Sequence, residues 1–322
     1  MIYQLTYKTK QFFFVLIKIS IVVLAFYFIY QKLTKSSHLE YSSFSELSSK
    51  NNIFSLKNIV FLTFISGFNW FFEIMKWQKL VSPIKNISFK TALEQTLGSL
   101  TASLFTPNRI GEYGAKAIHY TKEYQKRIMI INLISNILQM SVTCILGIIG
   151  LYFFVMEYQL VLNYANFFKI SIAIIVLVAL IVFIMCKTKV AFKQFYFEKI
   201  KTFLSNYPRK IISYGIGLSL LRYLIFSFQF YYLLMLFEIE LSYLHAMILI
   251  TCMYLLASVI PSIFIFDVIV KGSVAVYLFS FASVNSLIVL SIITLMWLFN
   301  FVIPSVFGSY FVLKFNLPEA NS

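Results

Sequence analysis

Two acid–lysine pairs lie among apolar residues of this 322-residue chain, Glu112 with Lys116 and Asp267 with Lys271. In each the acid precedes the lysine by four positions, the favourable order for an ion pair along a helix. The first pair closes the string SLFTPNRIGEYGAK, residues 103–116, and the second closes SVIPSIFIFDVIVK, residues 258–271. Pro107 disfavours the helical conformation at Thr106 and donates no hydrogen bond, so it ends a preceding helix. Pro261 holds the corresponding place in the second string. Gly111 and Gly114 permit unusual backbone angles or close approach. A helix broken inside a membrane offers free N–H groups and a positive dipole end, which suit an anionic phosphate. Arg109 adds a planar fork able to hold phosphate through two hydrogen bonds. Ionised residues within membrane segments mark binding paths by default, although internal ion pairs that only hold helices together also occur.

Arg222 is a further candidate. It sits inside the apolar run 218–230, where an unpaired arginine costs at least about 2.5–3.5 kcal/mol. It therefore requires a partner, and Glu73, Glu112 and Asp267 are the available acids. Either it binds a lipid phosphate or it locks helices together. Gln229, seven residues on, shares its helix face. The substrate-binding set is thus Arg109, Glu112, Lys116, Arg222, Asp267 and Lys271. No catalytic residue, cofactor or metal is expected: Cys144, Cys186 and Cys252, and His38, His119 and His245, are scattered and form no ligand spacing.

The elements that must position these residues are membrane helices. Hydrophobic residues make up 60% of the chain and charged ones 12%, with a mean hydropathy of +0.83. Soluble domains are about 45–50% apolar and about 25% charged, so lipid must be the solvent. Apolar runs of about 20 residues span a bilayer. Such runs occupy 11–30, 56–77, 128–156, 167–186, 211–237 and 286–312, with 246–260 and 263–281 forming either two spans or one re-entrant hairpin. Residues 33–56 are polar and read as a loop. Residues 89–105 are too polar for lipid and too apolar for a solvated loop. Their small and hydroxyl side chains permit close packing, so they are expected to form a buried re-entrant helix. Trp70, Trp77 and Trp297 are expected at interfaces. The fold class is an all-α polytopic membrane protein of six to eight spans with one or two re-entrant segments, in a single membrane domain over 1–322.

The two acids and the two lysines are each 155 positions apart. This implies repeat halves over 56–186 and 211–313, which would be inverted if the re-entrant units enter from opposite sides. The basic, amphipathic segment 187–210 joins them and suits a membrane surface.

The net charge of +15 is concentrated between apolar runs, as the positive-inside rule requires. No basic stripe sits on a soluble module, so nucleic acid is not an expected partner. The basic stretches 109–127 and 187–210 are expected on the cytoplasmic side, with both termini, in the cytoplasmic membrane. Lys32, Lys35, Lys50 and Lys57 run against this orientation.

The stretch SLTASLFTPNRIGEYGAKAIHY, residues 99–120, resembles the membrane region of the lysylphosphatidylglycerol synthase family, in which a helix leads into a TP-x-x-x-GE-like turn and then a basic segment. The region from Pro261 to Lys271 falls where that family has its second proline-containing signature. This chain has Asn108, Arg109 and Ile110 where many members have glycines, and Ile263 to Phe266 where many have a glycine-rich turn. In bifunctional members the membrane region is a lipid flippase and a separate soluble domain transfers the aminoacyl group. With the chain closing at Ser322 just after its last span, the resemblance implies lipid translocation or binding without that transfer.

The expected function is a lipid flippase or transporter acting on an anionic phospholipid or a polyprenyl-phosphate-type lipid. Two rivals remain: an intramembrane lipid-linked transferase with Glu112 or Asp267 as base, and a structural partner of a separate lipid-modifying or envelope enzyme. Membrane lipids are the expected partners in every case.

Overall fold

A computed structural model describes residues 54–104, 106, 109–159, 203, 205–259 and 264–315, with backbone only for 264–267. The predicted span at 11–30, the loop before it reaches 54, most of 167–210, and Pro107 and Pro261 lie outside the described residues. The described residues form helices joined by turns and short irregular segments, with no strand among them. In chain order come α1 (Leu56–Val81), α2 (Phe89–Ser103), α3 (Gly111–Ala117), α4 (Lys122–Glu157), α5 (Arg209–Leu236), α6 (Tyr243–Val259), α7 (Phe264–Ser280) and α8 (Ser286–Trp297). A π turn (Leu298–Val302) then joins α8 to α9 (Ile303–Lys314). The chain divides into two compact units, Met1–Phe154 with Lys210–Ser322, and Val155–Arg209. The elements that build the site belong to the first.

Four helices among the described residues are long and apolar enough to cross a membrane: α1, α4, α5 and the continuous α8–α9 of 29 residues. At 1.5 Å per residue even α1 is ~39 Å long, beyond the ~30 Å hydrocarbon core. The protein is a multi-pass, all-α membrane protein. The short helix α2, with 15 residues, is only ~22 Å long and cannot span. It packs against α9, α3 and α1, the buried placement expected of a re-entrant helix. The 17-residue α6 and α7 reach ~25 Å each and pack against one another.

In α1 the usual sense of amphipathicity is reversed. Ser66, Asn69, Glu73 and Lys76 lie on the buried stripe, while Phe61, Phe64, Phe68 and Phe71 are exposed. Lipid tolerates phenylalanine but not an unsatisfied polar group, so the polar residues turn inward and find partners there. Helix starts are capped conventionally. Ser55 accepts from the Asn58 N–H (3.4 Å), Ser88 from Thr91 (3.1 Å) and Asn285 from Leu287 (2.8 Å), each satisfying a donor without an intrahelical partner.

Two seams fix the helices around the site. The first joins α2 to α9. Thr101 donates to the Ser305 carbonyl at 2.9 Å, and Gly308 lies directly on the Leu97 carbonyl, where a methyl group would collide. Small residues let two backbones meet in this way. The second joins α1 to the π turn. A π turn frees backbone carbonyls from the regular ladder. Here Ser66 donates to the Phe299 carbonyl (2.6 Å) and the Trp70 indole to the Asn300 carbonyl (3.0 Å).

The tryptophans depart from expectation. Trp70, Trp77 and Trp297 are all 5% exposed or less. They serve as internal packing residues; the indole N–H groups of Trp70 and Trp77 donate to Asn300 and Gln95, while that of Trp297 is buried without a protein partner.

Candidate functional site

The first motif folds as helix, break, short helix. α2 stops at Ser103, short of Pro107. Thr106 then donates to the Ser103 carbonyl (2.8 Å) and accepts from the Gly111 N–H (2.9 Å), so one hydroxyl ties the end of α2 to the start of α3. Gly111 is required for its closeness. A Cβ there would stand 2.9 Å from the Thr106 methyl and 3.0 Å from the Ala102 carbonyl. Gly111→Ala is expected to cost about 1–3 kcal/mol through overpacking, measurable as a lowered Tm of the purified protein. Gly114 does not share this role. Nothing lies within 4 Å of where its Cβ would be, and no glycine has positive φ among the described residues. It faces open space, so the expectation of close approach is corrected for that position.

The positive φ falls instead on Arg109, at 58°. An L-residue with a side chain is strained in this left-handed region by about 1–2 kcal/mol. The turn directs its guanidinium to Glu112, with Nη2 3.1 Å from Oε2. The other oxygen of Glu112 receives Lys116 Nζ at 2.6 Å. Lys116 is fully buried. It also donates to Asn132 Oδ1 (2.9 Å) and sits 4.1 Å above the Trp77 ring. Trp77 is fixed in turn by donating to Gln95 (2.8 Å), which also accepts from the Tyr120 hydroxyl (2.9 Å).

Arg222 finds its partner in α1. Its Nη1 is 2.7 Å from Glu73 Oε2, its Nε donates to Asn69 Oδ1 at 3.0 Å, and Gln139 accepts at 3.5 Å. Glu73 also holds Lys76, at 2.8 Å. Asn69 donates to Asn300 (2.9 Å), and Asn300 to Gln229 (2.8 Å). Gln229 thus shares the network of Arg222, as their common helix face implies.

These groups converge on one cavity of about 450 Å³. Its wall includes Glu73 and Lys76 from α1, Arg109 and Glu112 from the break and α3, Arg222 from α5 and Lys271 from α7. The Lys271 ammonium lies 5.6 Å over the Phe301 ring. Four of the six predicted binding residues, Arg109, Glu112, Arg222 and Lys271, therefore line a common space although they span 163 positions of sequence. Lys116 stands behind Glu112. Asp267 falls in the first turn of α7, one turn before Lys271, in the part described by backbone alone. In the second motif a helix ends at Val259 and α7 opens at Phe264, close before the acid, as α3 opens close before Glu112. The helix after the break is longer, however, at 17 residues against 7.

Sequence reasoning missed Lys76, 1% exposed, and the asparagines of the network. A signal was present. Asn69, Glu73 and Lys76 follow one another by four and three residues on one face of a phenylalanine-rich helix, a spacing that brings side chains together. His119, in the turn after α3, lies against Phe315 with ring centres 4.3 Å apart and planes tilted by 58°, and burial pushes its pKa down to about 4. It is therefore neutral near pH 7 and adds no charge to the site.

The arrangement can hold an anion within a bundle of membrane helices. No curated protein and no solved structure matches the chain. A family model does, over residues 15–308, and on that match the chain belongs to the family described as the lysylphosphatidylglycerol synthase TM region.

Proposed function

We propose that the protein binds the headgroup of an anionic lipid in this cavity and moves it across the membrane. Its family makes it a membrane protein of lipid metabolism or transport; translocation and the anionic class are the finer reading. The observation that carries it is the convergence of Lys76, Arg109, Arg222 and Lys271 on one cavity that Glu73 and Glu112 line among the described acids. Cations within a membrane segment are expensive and persist where a pathway or ligand uses them. Arg109 supports the same reading. It occupies a backbone conformation that glycine would adopt without strain, so its side chain is retained against a local cost. The basic stretches between spans would draw anionic headgroups to the cytoplasmic face.

The test is reconstitution of the purified protein in liposomes of anionic phospholipid, with transbilayer movement of labelled lipid as readout. Movement is expected for the unaltered protein and is expected to fall at least tenfold in Arg109→Ala and in Asp267→Asn. Movement unchanged in Arg109→Ala would remove this cavity as the path.

A further inference from the structure

Among the described residues the charges around the cavity do not balance. Lys76, Arg109, Arg222 and Lys271 line it, and Lys116 is bonded to the lining Glu112. Against these five cations stand Glu73 and Glu112, and Asp267 one turn before Lys271 on α7. Five against three leaves two positive charges in excess. The count concerns charge and not pairing, so it does not depend on which groups bond to which. Arg222 is the fourteenth residue of the 28-residue α5, ~20 Å along the helix from its start. This excess therefore lies deep among membrane spans, where water cannot compensate it cheaply.

Besides the Tyr223 hydroxyl, two polar groups of the lining lack a protein hydrogen bond. The Tyr254 hydroxyl is buried without a hydrogen bond, on a side chain only 8% exposed, and the Nε of Arg109 is buried without one. Buried donors in native structures are nearly always satisfied, so both point to acceptors that a ligand would bring. Other parts of the same wall, Met140, Phe226 and Phe301, are apolar, and the cavity is roomy enough to take more than a bare anion.

We infer that the cavity is matched to a phosphomonoester, a headgroup of two negative charges with three terminal oxygens, in preference to the singly charged phosphodiester of an ordinary phospholipid. This rests on the anionic-lipid reading above and sharpens it. A phosphomonoester carries about −1.5 to −2 charges at pH 7, with a second ionisation near pH 6. It would neutralise the excess, and its third terminal oxygen supplies an acceptor that a diester lacks. A lipid monophosphate and free phosphate share this chemistry; the apolar part of the wall favours the lipid.

The test uses the full chain in nanodiscs of zwitterionic lipid. Binding of dioleoyl phosphatidate, dioleoyl phosphatidylglycerol and inorganic phosphate is measured at pH 8 and pH 5. Phosphatidate is expected to bind at least tenfold more tightly than phosphatidylglycerol at pH 8, and most of that advantage is expected to vanish at pH 5, where the monoester loses a charge. The charged groups on the wall are Glu73, Lys76, Arg109, Glu112, Arg222 and Lys271, with Lys116 behind Glu112 and Asp267 one turn before Lys271, and no histidine lines it among the described residues. Protonation of the protein on acidification would raise the positive excess and strengthen the preference for the more highly charged lipid, so a loss of preference at pH 5 reports the ligand's own ionisation. Lys271→Gln, which lowers the excess to one charge, is expected to shrink the phosphatidate preference while phosphatidylglycerol still binds. Tyr254→Phe removes only the unpartnered hydroxyl and is expected to weaken phosphatidate severalfold in a protein that still folds. Equal binding of the two lipids at pH 8 would overturn the phosphomonoester assignment and leave the anionic-lipid reading standing. Binding of neither would overturn both. Inorganic phosphate displacing phosphatidate at equal concentration would support the dianion site and show that the acyl chains add nothing.

Discussion

Replacing Glu73 by alanine is expected to destabilise the protein by about 3–5 kcal/mol, the range for removing one partner of a buried ion pair. The size follows from what remains. Lys76, 1% exposed, and Arg222, 17% exposed at its side chain, both lose their carboxylate at 2.8 and 2.7 Å. Two like charges are then left together in a bundle surrounded by lipid. Arg222→Met should cost much less, because the Glu73–Lys76 pair survives it and the long apolar side chain keeps the packing. Thermal unfolding of the purified proteins in one detergent checks the order. A Glu73→Ala variant as stable as Arg222→Met would show that water enters the cavity freely enough to solvate both cations.

The second large effect is expected at the seam between α2 and α9. Gly308→Leu puts a side chain where even a methyl would strike the Leu97 carbonyl and the Thr101 hydroxyl. Backbone cannot yield as a flexible side chain can, so α2 must move off α9. That loses the Thr101–Ser305 hydrogen bond and burial of Leu97 and Leu100. Overpacking costs about 1–3 kcal/mol and occasionally more, and this site belongs at the upper end. Because α3 packs on α2, the Arg109 turn should be displaced as well. Loss of lipid binding together with a lowered Tm is the expected result. A variant with a normal Tm would mean that the helices separate at no cost and that the seam does not hold the site. By contrast, Gly98→Ala on the same seam should be mild, since the nearest atom to its Cβ would be 3.7 Å away, in ordinary contact.

Much of the architecture was legible in the chain because hydropathy is a strong signal in lipid. The runs at 56–77, 128–156, 211–237 and 286–312 correspond to α1, α4, α5 and the α8–α9 span, each extended by a few polar residues that hydropathy does not credit to a helix. The short, buried α2 was legible for a different reason. Its composition fitted neither lipid nor water, which leaves burial among other helices. The π turn was not legible. Nothing in LFNFV sets it apart from regular helix, and it arises where Asn300 must reach Asn69 and Gln229 at once.

The site divides in the same way. Residue type and spacing were enough to pair Glu112 with Lys116 and to demand an acid for Arg222. Those are local or energetic constraints, fixed by the helical repeat and the cost of charge in lipid. The choice of Glu73 over Glu112 and Asp267, the burial of Lys76 and the inward turn of the tryptophans depended on which helix faces meet. The polar stripe of α1 marks its inward face, but periodicity does not say which neighbour meets it, and a helix apolar on every side such as α6 carries no preferred face in its pattern. The cavity and its charge excess exist only once α1, α3, α5 and α7 are assembled, since no single segment carries more than part of that balance.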